Sequence, residues 1–525
     1  MSTYEISNLD IGIIIGYFIV VLFIGFIFSL KSDTGKDFFL AGRSLGWGAI
    51  GFSLFASNVS STTLVGLSGQ AYRSGISVSN YEWMATLVLV FITIFFLPFF
   101  IRSKISTIPE YLEKRYSPFA RKYVSIILII SSIIVDISAG LYAGVLILQI
   151  FFPNLVMWQT YFIIIILAGA YTVKGGLKAV VFTDILQSLI ILFGGSIVLF
   201  AVMAEFDFSW TRAVSSVPEN HMSLFQPIDD PTLPWLGTLI GLPILGFYVW
   251  CNTQTIGQRF LGARNLNHAR WGALMGGFLK LIVFFLMVIP GVFAITLFPG
   301  LENSDLIFTE IITKLLPPGV IGIVLAGVIA AIMSSVDSNL NASSTMIVLD
   351  FIQPRRPELS PEKIVQYGSV TTLVLMAFAA IWTPVISNFQ GLFDYVQIVL
   401  SFIVPPIVTV FFMGVFWSRG TAKGAKYTLI FGHLTCLIVI VLYLLVDISW
   451  LHFTITAGLL TLFCFCIYIV ISLSSSSPEM IYLQDLTWKY RLKEEINEGF
   501  SWYLDYRFLS GILIFLTSIL VFLFW

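Results

Sequence analysis

The stretch Gly51–Gln70, GFSLFASNVSSTTLVGLSGQ, sets Ser57, Asn58, Ser60, Ser61, Thr62 and Thr63 in the middle of an apolar run long enough to cross a bilayer. About 20 apolar residues span the hydrocarbon core, so these side chains fall at mid-depth. Two readings are open. A Ser/Thr/Gly run can be a packing seam between membrane helices. It can also mark a helix that breaks, and broken backbone survives at that depth only where it lines a protein-enclosed cavity or binds an ion.

The rest of the chain decides which question matters. Of 525 residues, 58% are hydrophobic and only 11% are charged. An ordinary soluble protein carries about 25% charged residues, so this composition implies a chain that crosses the membrane many times. The net charge of −1 gives no reason to expect a nucleic-acid partner. Cys251, Cys436, Cys464 and Cys466 lie in apolar runs, and Cys464 and Cys466 lack His or carboxylate company, which argues against a metal site. The first apolar run, Ile11 to Leu30, is too long for a signal-peptide core and lacks a basic flank before it.

Hydropathy predicts fourteen spans: 9–30, 48–71, 78–101, 119–151, 156–173, 180–203, 234–258, 270–298, 317–351, 364–384, 390–416, 424–446, 449–473 and 507–525. Of the 28 basic residues, only Arg73, Arg212 and Lys314 fall in loops on one side, and Lys280 alone falls inside a span. The others, Arg259 among them, fall in loops on the opposite side. This asymmetry puts that side in the cytoplasm and both termini outside. The outside loop 204–233 is acidic, which agrees. No soluble domain is expected; the longest polar stretch, about 474–506, reads as a cytoplasmic connection. No nucleotide or phosphate-binding loop is present, so ATP-driven pumping is not expected and a gradient must supply the energy, unless transport is passive.

A second span reads as interrupted. LIGLPILGFYVWCNTQTIGQ, Leu239–Gln258, carries Gly241, Pro243 and Gly246. It lies five spans after the first interruption, and the two open runs of five spans, 48–203 and 234–416. Matching interruptions in two halves point to a midplane binding site in an inverted-repeat transporter. A third polar island, AAIMSSVDSNLN at Ala330–Asn341, follows a nearly unbroken apolar run. Ala331, Ser334 and Ser335 stand at i, i+3 and i+4, one face of a helix.

In order along the chain, SLFASNVSSTTLVGLSG, YEWMA, FLPFFIRSKISTIPEYLEKRYS, VKGGLKAVVFTDILQ, WCNTQTIGQRFLGARN, FLKLIVFFLMVIPG, IMSSVDSNLNASSTMIVLDF and FDYVQIVLSFIVPPI resemble the sodium/solute symporter family, in its sodium/sugar cotransporter branch. The resemblance implies an all-α membrane protein of the LeuT-type fold. In it, 9–30 is an extra N-terminal helix, 48–203 the first repeat, 234–416 the inverted repeat and 424–525 the C-terminal helices of one transporter domain, 1–525. It implies a main sodium site from carbonyls of Ala56, Val59 and Ala331 and hydroxyls of Ser334 and Ser335. A candidate second sodium site would use Asp184, Asp337 and Ser338. Each inward charge gains about 2.3 kcal/mol per 100 mV, so a second ion would raise the attainable solute gradient more than tenfold.

The substrate positions implied are Asn58, Thr63, Tyr81, Glu82, Asp136, Trp250, Lys280 and Gln397, with Tyr248 and Val249 at the inner gate. Polyols need paired donors and acceptors with an aromatic face, and this set supplies both. Four positions depart from the sugar-binding pattern: Thr63 stands for Gln, Asp136 for Asn, Gly246 for Asn and Val249 for Tyr. Asp136 adds an acceptor-only charge that would bind hydroxyls, neutralise Lys280 or recognise an amino group. Lys280 is expected to pair with Glu82 or Asp136. The function expected is sodium-coupled import of a sugar or polyol across the plasma (inner) membrane by alternating access, with no enzymatic step. The alternatives are symport of an amino acid, a carboxylate or a sialic-acid-like solute, or a passive uniporter or channel. A sensor would need an appended signalling domain, and none is read. Sodium, a small solute and the lipid bilayer are the partners expected; the sequence does not fix an oligomeric state.

Overall fold

The computed structural model describes residues 6–29, 35–154, 156–388, 391–445, 451–491 and 501–525. Among these residues there is no β-strand, and two isolated backbone bridges are the only strand-like pairings. Twelve helical stretches are long and apolar enough to cross a membrane. The sequence predicts fourteen spans, and two of them stand outside this count. The span expected over 48–71 is cut between Trp47–Asn58 and a second half that runs on, through a turn, into Asn80–Phe95. The span expected over 156–173 is the part of the helical run Met157–Ala204 that precedes Gly176.

Two glycines make the chain reversals possible. Gly75 has φ +75°, and a Cβ there would sit 2.2 Å from the His221 carbonyl oxygen. Gly176 has φ +56° and ψ −156° and interrupts the otherwise helical run Met157–Ala204. That backbone region is essentially reserved for glycine. A Cβ at Gly176 would also lie 2.3 Å from the carbonyl oxygen of Phe38.

The centre of the bundle is the helix Val320–Met346, which is buried almost along its whole length and packs along Met157–Ala204. Its first turn is held by Asp10, whose fully buried carboxylate accepts the N–H groups of Gly319 (2.7 Å) and Gly322 (2.5 Å). A carboxylate at a helix N-terminus satisfies orphan donors and opposes the helix dipole favourably. At the cytoplasmic end expected for Leu392–Phe416, the buried Arg115 guanidinium donates to the carbonyls of Gly414 (2.9 Å), Trp417 (3.1 Å) and Gly420 (3.2 Å). Both groups do for a helix terminus what water cannot do inside a bilayer.

The interruption expected near Gly241–Gly246 lies elsewhere. Gly241 is a slight bend between Trp235–Ile240 and Leu242–Phe247, with right-handed helical angles. Its smallness serves close packing, since a Cβ would meet the Thr454 carbonyl at 2.2 Å. The helix opens instead at Thr253, which is extended (φ −73°, ψ 140°) after the widened turn Tyr248–Asn252.

Gly176→Ala should destabilise the fold by roughly 1–3 kcal/mol from backbone strain alone, with a further loss from the overlap on Phe38. Gly300→Ala, also at positive φ (+77°) but with open space around it, should show the strain without the overlap. Thermal unfolding of the purified protein in detergent measures both; equal shifts would remove the role given to Phe38.

Candidate functional site

The helix Trp47–Asn58 ends in mid-bundle because Val59 leaves helical geometry (φ −79°, ψ 84°). Winding resumes at Ser61, widens into i→i+5 turns over Thr63–Leu67 and continues through Ser68–Ser74. Breaking the ladder frees carbonyls that need new donors in a region without bulk water. The Ala56 carbonyl accepts the Ser334 hydroxyl at 2.9 Å. The Asn58 carbonyl accepts the Ser60 N–H at 3.0 Å and the Thr63 hydroxyl at 3.3 Å.

Four of the five residues expected at the main sodium site therefore meet through their oxygens. Ser334 also reaches the Ala331 carbonyl at 3.2 Å, and Ser335 reaches it at 2.9 Å. Val59 sits at the break itself. All are buried. The cluster is neutral and consists of carbonyl and hydroxyl oxygens, the donor set by which these broken helices hold alkali cations.

Asp184 and Ser338 of the expected second sodium site also converge, but around a cation the sequence reading placed in a cytoplasmic loop. Arg259, on Gln254–Leu261, is fully buried and lies 3.2 Å from an Asp184 carboxylate oxygen. The same guanidinium donates to Ser338 at 2.5 Å, to Ser53 at 3.0 Å and to the Thr255 carbonyl at 2.5 Å. Ser53 donates to Asp184 at 2.5 Å, Ser57 lies 3.4 Å from it, and Ser57 and Ser338 are 3.0 Å apart. Ser338 donates to Asp337 at 3.2 Å. Lys280 is thus not the only basic side chain at depth.

Lys280 pairs with Glu82 and not with Asp136. It also donates to the Asn58 side-chain oxygen at 2.6 Å and lies 5.9 Å from the centre of the Trp250 ring. A small cavity lies below the break. Asn58, Ser60, Thr62, Asp136, Tyr248, Val249, Thr253 and Ser335 line it, so it connects the break, the expected gate residues and the Ser335 edge of the oxygen cluster. Of the eight expected solute positions only Asn58 and Asp136 line it; Thr63, Tyr81, Glu82, Trp250, Lys280 and Gln397 do not. Thr63 is turned back onto its own helix, and its place on the wall is taken by Ser60 and Thr62.

On the opposite side the path is shut. Tyr81 stands edge-on to Phe393 at 5.1 Å, and Gly66 packs directly against Phe393. Arg73 pairs with Asp394 at 2.7 Å, and the Leu392 N–H donates to Asp305 at 3.0 Å. Arg73 and Asp394 are both part-exposed, 35% and 27%. Such pairs contribute little, so the ring contact and the close glycine do most of the closing.

A profile of the Sodium:solute symporter family matches residues 38–432, more than half of the chain. The chain belongs to the sodium:solute symporter family. As a member of it, the protein is a sodium-coupled symporter of a small polar solute, with sodium as the co-transported ion. It is 32% identical to sodium/glucose cotransporter 4 of Danio rerio over 94% of this chain and 83% of that one. It is 35% identical to sodium/myo-inositol cotransporter 2 of Homo sapiens, over 82% of this chain and 70% of that one. These relatives are transporters, not enzymes. A solved sodium-coupled sialic acid symporter, in a substrate-bound outward-open state, superposes with a TM-score of 0.80. It covers 90% of this chain and 99% of its own at 20% identity. The likeness carries the fold, and the symporter is an all-α protein of the LeuT type.

Sequence reasoning missed Arg259, Ser53 and Ser57 as parts of the Asp184 group. The only signal was Arg259 lying one residue past the end of a span, which the charge count read as a loop residue. It also missed the widened turns at Ser132–Ile137 and Tyr248–Asn252, which carry Asp136, Tyr248 and Val249. One inserted residue per turn leaves no trace in composition, although such turns recur at functional sites.

Removing one partner of a buried ion pair costs about 3–5 kcal/mol. Lys280→Met should therefore lower thermal stability sharply, and adding Glu82→Gln should recover a large part of the loss. An additive double variant in unfolding experiments would show that the two charges do not depend on each other.

Proposed function

We propose that the symporter carries a sugar or sugar-like polyol into the cell with sodium bound at Ala56, Val59, Ala331, Ser334 and Ser335. The observation that supports this reading is the Ser334 hydroxyl on the Ala56 carbonyl, 278 residues apart in the chain. A cation entering the cluster would take over both oxygens and tie the broken helix to Val320–Met346. The cavity beneath Asn58 is read as the solute site, with Lys280, paired with Glu82 and 5.9 Å from the Trp250 ring centre, holding Asn58 in place. The names of the glucose and myo-inositol relatives support a polyol. In the state described, the outer side is closed by Tyr81, Phe393 and Gly66, as alternating access requires after the solute has entered.

The runs 48–203 and 234–416 are read as the two inverted repeats, and the protein as a plasma-membrane symporter with both termini outside. Asp184, Asp337 and Ser338 are read as a second sodium site in which Arg259 and sodium compete for the Asp184 oxygens. Arg259 and Ser53 both meet one Asp184 oxygen, Oδ2, while Oδ1 accepts no hydrogen bond among the described residues, so a sodium ion that takes Oδ2 displaces Arg259.

Uptake into proteoliposomes should exceed the passive rate for at least one sugar or polyol when a sodium gradient is imposed. Uptake of every solute that ignores the gradient would sink the reading and favour a uniporter. Ser334→Ala should raise the half-saturating sodium concentration about tenfold, which corresponds to ~1.4 kcal/mol. An unchanged value would remove Ser334 from the site. For the second site, the sodium Hill coefficient of the parent should exceed one and fall to one in Asp184→Ala. A parent coefficient of one would mean that Arg259 holds the position permanently.

A further inference from the structure

Among the described residues, Asp136 has no counter-charge. Both buried basic side chains of the centre are engaged elsewhere, Lys280 with Glu82 and Arg259 with Asp184. Among the described residues no hydrogen bond or ion pair reaches the Asp136 carboxylate, and it lines the cavity beneath Asn58. An ionised carboxylate is poorly tolerated in such surroundings unless a cation meets it.

Its position is fixed by its neighbours. Asp136 projects from the widened turn Ser132–Ile137. The Tyr395 hydroxyl donates to the Ile134 carbonyl at 2.5 Å, and the Ser138 hydroxyl donates to the Ile133 carbonyl at 2.7 Å. The carbonyls displaced by the extra residue are thus satisfied from outside the turn. Across the cavity stand Asn58, Ser60 and Thr62, neutral groups able to donate and accept. A polyol frame has its partners there, and the carboxylate has none.

We propose that the solute carries a protonated amine on a polyol-like frame and that Asp136 is the carboxylate that receives it. This rests on the reading of the cavity as the solute site. A neutral polyol would leave the charge of Asp136 unmet in the closed state, whereas an amino-substituted one neutralises it at the moment the cavity seals. Asp136 thereby sets specificity within the solute class.

The test uses the full-length protein in proteoliposomes under a sodium gradient, with glucose against glucosamine and myo-inositol against an amino-substituted inositol. In the parent, the amine should be taken up with at least a tenfold lower half-saturating concentration than its neutral counterpart. That preference should fade as the outside pH is raised past the pKa of the amine. Asp136→Asn keeps the shape and loses no hydrogen bond, so it should fold normally and lower the preference tenfold or more. Its sodium Hill coefficient should stay at the parent value. Equal handling of amine and neutral solute by the parent overturns the proposal, as does a preference that survives in Asp136→Asn. A fall in the Hill coefficient would make Asp136 a sodium ligand. Proton entry with a neutral solute, read by a lumenal pH dye, would make it a proton carrier. Either result overturns the proposal. Sodium-driven uptake of the neutral solutes alone leaves the symport reading standing, whereas no sodium-driven uptake of any solute removes both.

Discussion

Backbone that leaves its helix inside a bilayer must find other partners, and the centre of this protein is arranged around that constraint. At Val59 the first long helix of the core opens, and the Ala56 carbonyl turns to Ser334. At Thr253 a second helix opens, and the Thr253 hydroxyl returns to the Val249 carbonyl at 2.7 Å. These openings are where polar atoms face inward, so the oxygen cluster, the cavity and the Asp184 group all lie beside them. A continuous helix in either place would close its own hydrogen bonds and offer nothing to a cation or a solute.

The same constraint governs the charges. Glu82, Asp184 and Asp337 share the interior with Lys280 and Arg259, and each basic group faces a named acidic one. Each basic group also reaches past its partner, to Asn58 in one case and to Ser53 and Ser338 in the other. That second reach matters more than the pairing itself. Buried ion pairs contribute little net stability, but they fix the side chains around them. Asn58 and Ser338 are held at the cavity and at the Asp184 group by cations that are each paired with a carboxylate.

Much of this was legible in the chain. The polar islands Ser57–Thr63 and Ser334–Ser338 stand out against apolar surroundings, and the break at Val59 followed from the first of them. The oxygen cluster was legible through the i, i+3, i+4 spacing of Ala331, Ser334 and Ser335 together with the family resemblance. Other parts were not. Gly241, Pro243 and Gly246 looked like a break, but a glycine that admits the Thr454 backbone carries the same letter as one that bends a helix. Arg259 looked like a loop residue because its burial depends on Asp184, 75 positions away. Thr63 looked like a solute contact because one side of a broken helix cannot be told from the other before its hydrogen bonds are known.

Arg259 has a consequence for the empty carrier. A symporter that has released its ion and solute inside must return without them, and it slips if it returns half-loaded. A carboxylate left bare at this stage would favour carrying any stray cation back across. The guanidinium is tethered to the same protein and cannot be lost to either compartment, so it is always at hand to reoccupy Asp184. In the proposed second site, the group that sodium displaces on the way in is thus also the plug that keeps the return step tight.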